Sequence, residues 1–266
     1  GYRVSPRPPS PSSRPTSAGV PWSPRKQYDR NVKTATVERS TALTPRELRA
    51  RLERRARRGG VKISPELAVR LITYLELLAR WNHKINLTSL PLVEPTDETF
   101  DRLLIEPLIA ARYLPTPNCS VIDVGSGGGS PAIPMRLAAP EISLRMVESK
   151  TRKAAFLREA VRQLALDNVV VETARAEELL ARPGLHEHHD VATLRAVRLE
   201  PRTLLTVHAF LRFGGFAFLF RGPGTEPLPA AALPSFSFGA SYPLIESLGS
   251  QIVILEKPQI RKSAYS

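Results

Sequence analysis

The residues best suited to chemistry lie in one stretch, Val121–Pro134, reading Val-Ile-Asp-Val-Gly-Ser-Gly-Gly-Gly-Ser-Pro-Ala-Ile-Pro. Val121, Ile122 and Val124 make a β-branched run of the kind that fills a buried parallel strand. Gly125, Gly127, Gly128 and Gly129 follow at once, and Ile133 and Leu137 open an apolar helical pattern. A strand that breaks into glycines and reopens as a helix presents unpaired backbone N–H groups and a positive dipole end to a ligand. Glycine is needed because a Cβ would hold the ligand off and forbid the positive φ values of such a turn. A dinucleotide oxidoreductase would offer G-x-G-x-x-G, but Ser130 stands where the third glycine belongs. Asp123, two residues ahead of the first glycine, fits a different ligand. Its carboxylate can meet the ammonium of an amino-acid moiety through the loop backbone or a water, as in S-adenosylmethionine sites. An ordinary tight strand-to-helix turn has no need of this glycine density.

Further candidates sit where later strands end. Leu144–Val147 reads as the second strand, and Glu148 at its tip can accept both ribose hydroxyls of a nucleoside, 25 residues after Asp123. The alternative for Glu148 is a helix-capping acid. Val169–Val171 makes a third strand, followed by Arg175-Ala176-Glu177 in reach of an adenine at the carboxyl edge of the sheet. Asp190–Leu194 is a fourth strand delivering Arg195, which could hold a carboxylate or phosphate bidentately. Phe216–Phe220 is a fifth, delivering Arg221. Asn82, Asn86 and Thr88 crowd a helix end, where capping is the default and a substrate contact by Asn86 or Thr88 the alternative. His186, His188 and His189 form a polar loop without the further ligands a metal shell needs.

The elements that must position these groups alternate strand and helix, the pattern of a parallel sheet. Ahead of them, Thr44-Pro45-Arg46-Glu47 is a capping box with proline at the first helical position. The helix it opens runs to Arg58 and stops at Gly59-Gly60. Leu48 and Leu52 are its apolar stripe; Arg49, Arg51, Arg54, Arg55, Arg57 and Arg58 cover the rest, either as a solvated face or as contacts to RNA phosphates. Ser64-Pro65 opens a second helix with Leu67, Leu71, Leu75 and Leu78 inward, ending in Trp81–Thr88 with Trp81 and Ile85 as core anchors. Phe100–Leu114 is a third, closed by Pro115 and Pro117, with Arg102 as its exposed member. Later helices are expected to about Ala139, over Lys150–Leu166 and over Leu199–Phe213, the last ending at Gly214-Gly215. After the proline-rich loop Pro223–Pro234, Ser235–Tyr242 and Gln251–Leu255 can pair as an antiparallel edge.

The +13 charge is unevenly placed. Residues 1–60 hold 15 of the 38 basic side chains and 4 of the 25 acidic ones, so the remainder is nearly balanced and the basicity belongs to the amino-terminal arm. That asymmetry favours a polyanionic partner, nucleic acid before membrane. One cysteine, Cys119, excludes an internal disulfide and a cysteine-based zinc site, and fits a reducing compartment. No apolar run approaches the roughly 18 residues of a membrane span. Residues 1–42 are rich in Pro, Ser, Arg and Thr and lack an amphipathic period, which favours a disordered basic tail over a transit peptide. The expected organisation is this tail (1–42), a helical N-terminal extension (43–117) and an α/β domain (118–266).

Four motifs in order resemble the glucose-inhibited division protein B family, methyltransferases of guanine N7 in small-subunit ribosomal RNA, over roughly residues 62–222. They are Trp81-Asn82-x-x-x-Asn86-Leu87-Thr88, Asp123-Val-Gly-Ser-Gly-x-Gly-x-Pro131-x-Ile133-Pro134, Arg175-Ala176-Glu177 and Arg195-Ala196. The resemblance implies a Rossmann-like class I methyltransferase sheet, mostly parallel with an antiparallel C-terminal edge. It also implies S-adenosyl-L-methionine as cofactor, with Gly125, Gly127 and Ser130 in the loop, Ala176 and Glu177 at the adenine, Glu148 at the ribose, Asp123 at the methionine end and Arg195 beside the methyl donor. Arg195 and Asn86 become the candidate catalytic residues, and Arg102 and Arg221 the candidate RNA contacts. The implied partner is 16S ribosomal RNA or a small-subunit assembly particle, met by a cytoplasmic monomer without metal or membrane. The chain departs from the family at Ser130 (usually large and apolar), Ala132 (usually glycine), Glu148-Ser149-Lys150, Arg221, and Leu103 and Leu194, which replace polar groups. Those last two keep a second reading open, an S-adenosylmethionine-binding RNA-associated protein with another substrate or no turnover.

Overall fold

Five strands run parallel to one another, β1 (Ser120–Val124), β2 (Ser143–Val147), β3 (Val169–Glu172), β4 (His189–Arg195) and β5 (Leu211–Arg221). The apolar residues of β1, β2, β4 and β5 are buried in the middle of the sheet, and β3 is more exposed at its edge. The structure is a computed structural model that describes residue 1, residues 43–228, residue 230 and residues 235–259. The tail expected over 1–42 therefore lies outside the described residues apart from Gly1, as does part of the proline-rich loop. The strand order is β3-β2-β1-β4-β5-β7-β6, where β6 is Ser237–Pro243 and β7 is Gln251–Glu256. The expected antiparallel C-terminal edge is present, with one refinement. β7 lies between β5 and β6 and is antiparallel to both. The order of strand addition reverses at β1, with β2 and β3 to one side and β4 and β5 to the other. That switch point opens a crevice beyond the carboxyl ends of β1 and β4, the place where ligands bind in open α/β sheets.

Helices cover both faces: α5 (Ala132–Ala138), α6 (Thr151–Gln163) and α7 (Pro201–Phe210) connect strands, while α1 (Pro45–Arg58) and α2 (Pro65–Asn82) precede the sheet. The segment between α2 and β1 is helical in four pieces, α3 (Asp97–Phe100), a π-helical turn (Asp101–Ile105), α4 (Glu106–Ala110) and a 3-10 turn (Ala111–Tyr113). Leu52 of α1 and Leu71, Tyr74 and Leu78 of α2 are fully buried in the same core as Val121 of β1 and Leu157 of α6, so the helical extension and the sheet share one interior. Trp81 and Ile85, expected as anchors, are only partly buried, with Trp81 edge-on to Phe156 at 5.8 Å. Leu87 is the buried residue of that turn.

Helix α7 ends three residues earlier than its pattern predicts. Its last-turn carbonyls need donors, and these come from distant parts of the chain. The buried Lys257 ammonium donates to the His208 and Leu211 carbonyls, and the Glu187 and His188 amides donate to those of Ala209 and Phe210. Leu211 then turns extended and pairs with His189, so Gly214-Gly215 form an irregularity inside β5 instead of a helix stop. No helix among the described residues is long and apolar enough to cross a membrane.

The Thr44 capping box of α1 forms as expected. Its arginines divide into two sets. Arg51 donates to Asp97 at 2.7 Å and to the Pro95 carbonyl, while Arg55 grips Asp101 bidentately and reaches Asp97 at 3.1 Å. These pairs fasten α1 to the helical segment that follows α2. Asp101 is buried and its partner nearly so, whereas the Asp97 side chain is half exposed. Removing one member of a buried pair typically costs about 3–5 kcal/mol, against about 0–1 kcal/mol for an exposed pair. Urea unfolding of Asp101→Ala should therefore show a loss of about 3 kcal/mol or more, and that of Asp97→Ala no more than about 1 kcal/mol.

Candidate active site

The carboxyl ends of the parallel strands hold a trough made of two adjoining recesses of about 600 and 490 Å³. Gly125, Glu148, Lys153 and Ala196 belong to both. Leu78, Leu87 and Thr88, from α2 and the turn after it, wall the larger recess. Its floor carries Arg102, Glu106, Ser130 and Arg195, and Arg221 sits at its rim. The smaller recess runs past Lys150 to Ala176 and Glu177. The trough thus brings together Gly125, Gly127, Ser130, Glu148, Ala176, Glu177, Arg102, Arg195 and Arg221. Another recess of about 640 Å³, between α1 and α2, includes no strand end and no glycine of the loop.

The loop after β1 works differently from the expectation of free amides. The Gly125 and Ser126 amides both donate to the Val147 carbonyl, that of Gly129 to Ser126, and that of Gly127 to Glu148 at 2.9 Å. Helix α5 opens on buried residues, with Ser130, two positions before its first residue, on the trough lining. The glycines contribute space and backbone shape. Gly125 has φ +76°, and a Cβ there would lie 2.7 Å from a Val197 methyl. Gly129 has φ +85°, with its added Cβ 2.5 Å from Ile133. Tyr74, buried in α2, donates to the Gly128 carbonyl at 2.6 Å and ties the loop to the helical extension.

Glu148 braces this loop while facing the trough. One oxygen accepts from Gly127 and the other from the Lys150 amide at 2.7 Å. A carboxylate offers about four acceptor positions, so each oxygen retains one for a ligand hydroxyl. The capping role and the ligand role expected as alternatives are compatible. Asp123 is buried beneath the loop and is not part of the trough lining. Oδ1 accepts from Thr193 at 2.5 Å, and Oδ2 has no hydrogen-bond partner within the protein. Burial raises its pKa to about 6, against the lowering effect of the Thr193 hydrogen bond. Asn86 is exposed and outside the lining. Among the described residues Asn82 caps no carbonyl of the helix end. It holds the following turn, accepting from the Leu87 and Thr88 amides at 2.8 and 3.0 Å and donating to the Thr88 carbonyl at 3.2 Å.

Arg195 is the most constrained group at the floor. Its guanidinium pairs with Glu106, donates to the Arg102 carbonyl and lies 5.4 Å from the centre of the Phe220 ring. Burial pulls its pKa down, opposed by the Glu106 charge. One of the acceptors it uses, the Arg102 carbonyl, traces to the helical register around Pro107. The Glu106 amide bonds to the Asp101 carbonyl, five residues back. Pro107 has no N–H to offer. The Arg102 and Leu103 carbonyls, five and four residues before it, therefore lack its amide as a helical donor. Arg195 takes the first, and the Ser130 hydroxyl donates to the second at 3.0 Å. Arg102 itself, expected to be exposed, is partly buried and pairs with Glu98 at 2.7 Å. Arg221 donates to the Glu226 carbonyl. Sequence reasoning missed Glu106 and Tyr74. Glu106 interrupts the apolar run Leu103–Ile109, and that lone acid was the available signal.

Among the described residues, no group of three or more His, Cys, Asp or Glu is placed to hold a metal. His189, expected in a loop, is the buried first residue of β4. It bonds to Ser120 at 2.8 Å, and burial depresses its pKa to about 3.

A family model described as rRNA small subunit methyltransferase G (GidB) matches residues 68–227. Proteins named Ribosomal RNA small subunit methyltransferase G are similar to this chain. That of Acetivibrio thermocellus is 31% identical over 167 residues, 63% of this chain and 68% of its own. That of Dichelobacter nodosus is 42% identical over 127 residues, 48% and 58% respectively, so the match spans less than two thirds of that relative. That of Xanthomonas axonopodis pv. citri is 35% identical over 179 residues, 66% and 79%.

The hydrogen-bond arrangement around Pro107 gives a direct test. Ser130→Ala strips the Leu103 carbonyl of its donor, which should cost about 1–3 kcal/mol in urea unfolding. In a Pro107→Ala background the restored amide can bond that carbonyl, and the cost of Ser130→Ala should fall by at least about half.

Proposed function

The chain belongs to the GidB family of small-subunit rRNA methyltransferases, and from that premise we propose that it transfers a methyl group from S-adenosylmethionine to guanine N7 of 16S ribosomal RNA. The observation that carries this reading is a coincidence of position. Every residue lining the trough, from Leu78 to Thr225, falls inside the matched span 68–227.

The residues present suit the cofactor. A Cβ at Gly125 would crowd the point where the two recesses meet, and Glu148 keeps acceptor capacity toward both. Glu148 would hold the ribose hydroxyls, and Ala176 and Glu177 would bracket the adenine. Gly125, Gly127 and Ser130 would border the cofactor along the loop. Asp123, with one oxygen lacking a protein partner, would favour the methionine ammonium from beneath the loop. When bound, the cofactor supplies a methyl carbon activated by its positively charged sulfonium.

Guanine N7 already carries a lone pair and loses no proton on methylation, so the site needs no general base. What remains is alignment of nitrogen, carbon and sulfur in line with little water present. Effective molarities of about 10⁵–10⁸ M for well-oriented reactions make positioning sufficient in principle. Arg195, locked by Glu106 and the Arg102 carbonyl, is the group placed to orient the reacting base. Arg102 and Arg221, at the floor and rim of the larger recess, would contact the RNA there. Asn86, exposed on the turn whose neighbours Leu87 and Thr88 wall that recess, is retained as a weaker catalytic candidate. We take the protein to be cytoplasmic and to work as a monomer on rRNA or a subunit assembly particle.

Calorimetry should give micromolar-range binding of S-adenosylmethionine by the wild-type chain and none by Gly125→Arg. Mapping of N7-methylguanine in 16S rRNA from a strain lacking the gene should show a missing mark, restored by the wild type but not by Arg195→Ala. Binding without any such mark would favour a cofactor-binding protein with another substrate. Heat for NAD and none for S-adenosylmethionine would refute the proposal.

A further inference from the structure

The trough is built for a nucleoside and a base, but its charge is poorly suited to gripping a polyanion. The larger recess is lined by Arg102, Lys153, Arg195 and Arg221 against Glu98, Glu106 and Glu148. Two of those cations are already committed, Arg102 to Glu98 and Arg195 to Glu106. If the substrate is RNA, most of its backbone must be held elsewhere, because neutralised phosphates dominate the affinity of such complexes.

Helix α1 supplies that surface. At about 100° per residue, Leu48, Leu52 and Ala56 mark its buried stripe. Arg51 and Arg55 occupy the flank that grips Asp97 and Asp101. Arg46, Arg54, Arg57 and Arg58 fall on the opposite side, within an arc of about 120°, and all four are exposed. Among the described residues none of the four forms an ion pair within 4 Å, whereas Arg49 pairs with Glu53 at 3.4 Å. The Arg51 hydrogen bond holds the pKa of Asp97 down, and Arg58 is near enough to that carboxyl to add to the effect. The one acid within that arc, Glu47, is consumed by the Thr44 cap. Arg54 and Arg58 also line a recess of about 410 Å³ beside Arg51 and Arg55.

A plain solvated face accounts poorly for this arrangement. Arg54 lies three residues before Arg57 and four before Arg58, spacings at which like charges repel and weaken a helix. Arg57 and Arg58 suit the helix dipole at its C-terminal end, but together with Arg54 they leave a concentrated positive face open to an anion. Its place relative to the trough is also fixed. The helical segment that presents Asp97 and Asp101 to α1 presents their sequence neighbours Glu98 and Arg102 to the larger recess.

We infer that Arg46, Arg54, Arg57 and Arg58 form a phosphate-binding face for RNA flanking the nucleotide that enters the trough. This rests on the methyltransferase reading and adds to it where the backbone is held. Guanidinium groups suit the task because they meet phosphate oxygens bidentately.

The test uses the full chain and a fluorescently labelled 16S rRNA transcript, with affinity measured across a salt series. Each lost phosphate contact should reduce the slope of log affinity against log salt by about 0.7–0.9. A variant with all four arginines changed to Gln should lose about 3 from that slope and more than about tenfold in affinity at low salt. Its S-adenosylmethionine affinity should be unchanged, which also certifies its fold. The corresponding fourfold Lys variant should keep the slope. An unchanged slope in the Gln variant, with or without weaker binding, overturns the inference. If instead the wild type fails to methylate RNA while the Gln variant still shows the reduced slope, the assigned reaction falls and the RNA surface stands.

Discussion

The floor of the trough depends on one buried ionic contact, Arg195 of β4 against Glu106 of α4. Taking two such charges out of water costs several kcal/mol per ion, and attraction alone repays it only when the remaining donors are satisfied. The Arg195 side of the pair finds a further acceptor because the helical segment before the sheet is imperfect. Glu106 Oε1, by contrast, is buried without a hydrogen-bond partner among the described residues, Arg102 being 3.9 Å away. Pro107 leaves two carbonyls without its amide, Arg195 takes one, and Ser130 takes the other. A regular α-helix over the same residues would return the Arg102 carbonyl to the Glu106 amide and so take it from Arg195, while the Leu103 carbonyl would still lack the Pro107 amide. The π-helical turn at Asp101–Ile105 is therefore part of the site, consistent with the tendency of such turns to occur where function is located.

From that floor the rest of the trough follows. β4 delivers Arg195, and the same contact holds the helical segment across the strand ends. The glycine loop is braced on one side by Glu148 and on the other by Tyr74. The Gly125, Ser126, Gly127 and Gly129 amides are engaged within the protein, so at those positions the loop offers a ligand room and fixed shape more than free donors. Asp123 and Thr193, opposite each other on β1 and β4, support it from below. The same helical segment turns a second, acidic side to α1 and orients that helix's basic face.

Much of this was legible in the sequence. Apolar β-branched runs separated by helical periods located the strands, since parallel strands buried on both faces must be apolar throughout. The glycine density at 125–129 located the crevice, because few other residues tolerate those φ values or that crowding. What stayed hidden depended on partners distant in the chain. Lys257 ends α7 from the far side of β5, so no local pattern near Phe213 could reveal that the helix stops at Phe210. The arginines of α1 look alike in one dimension, and only Asp97 and Asp101 separate structural ties from an open basic face. Glu106 and Tyr74 were hidden because a lone polar group in an apolar helical pattern gives no sign of the neighbour it meets.

The most direct measurement is a crystal structure of the full chain with S-adenosylhomocysteine. The account predicts the ribose on Glu148, the adenine between Ala176 and Glu177, and the Arg195–Glu106 contact intact beneath the sulfur. Binding of that ligand at any other place on the molecule, or with Glu148 turned away from it, would contradict the account.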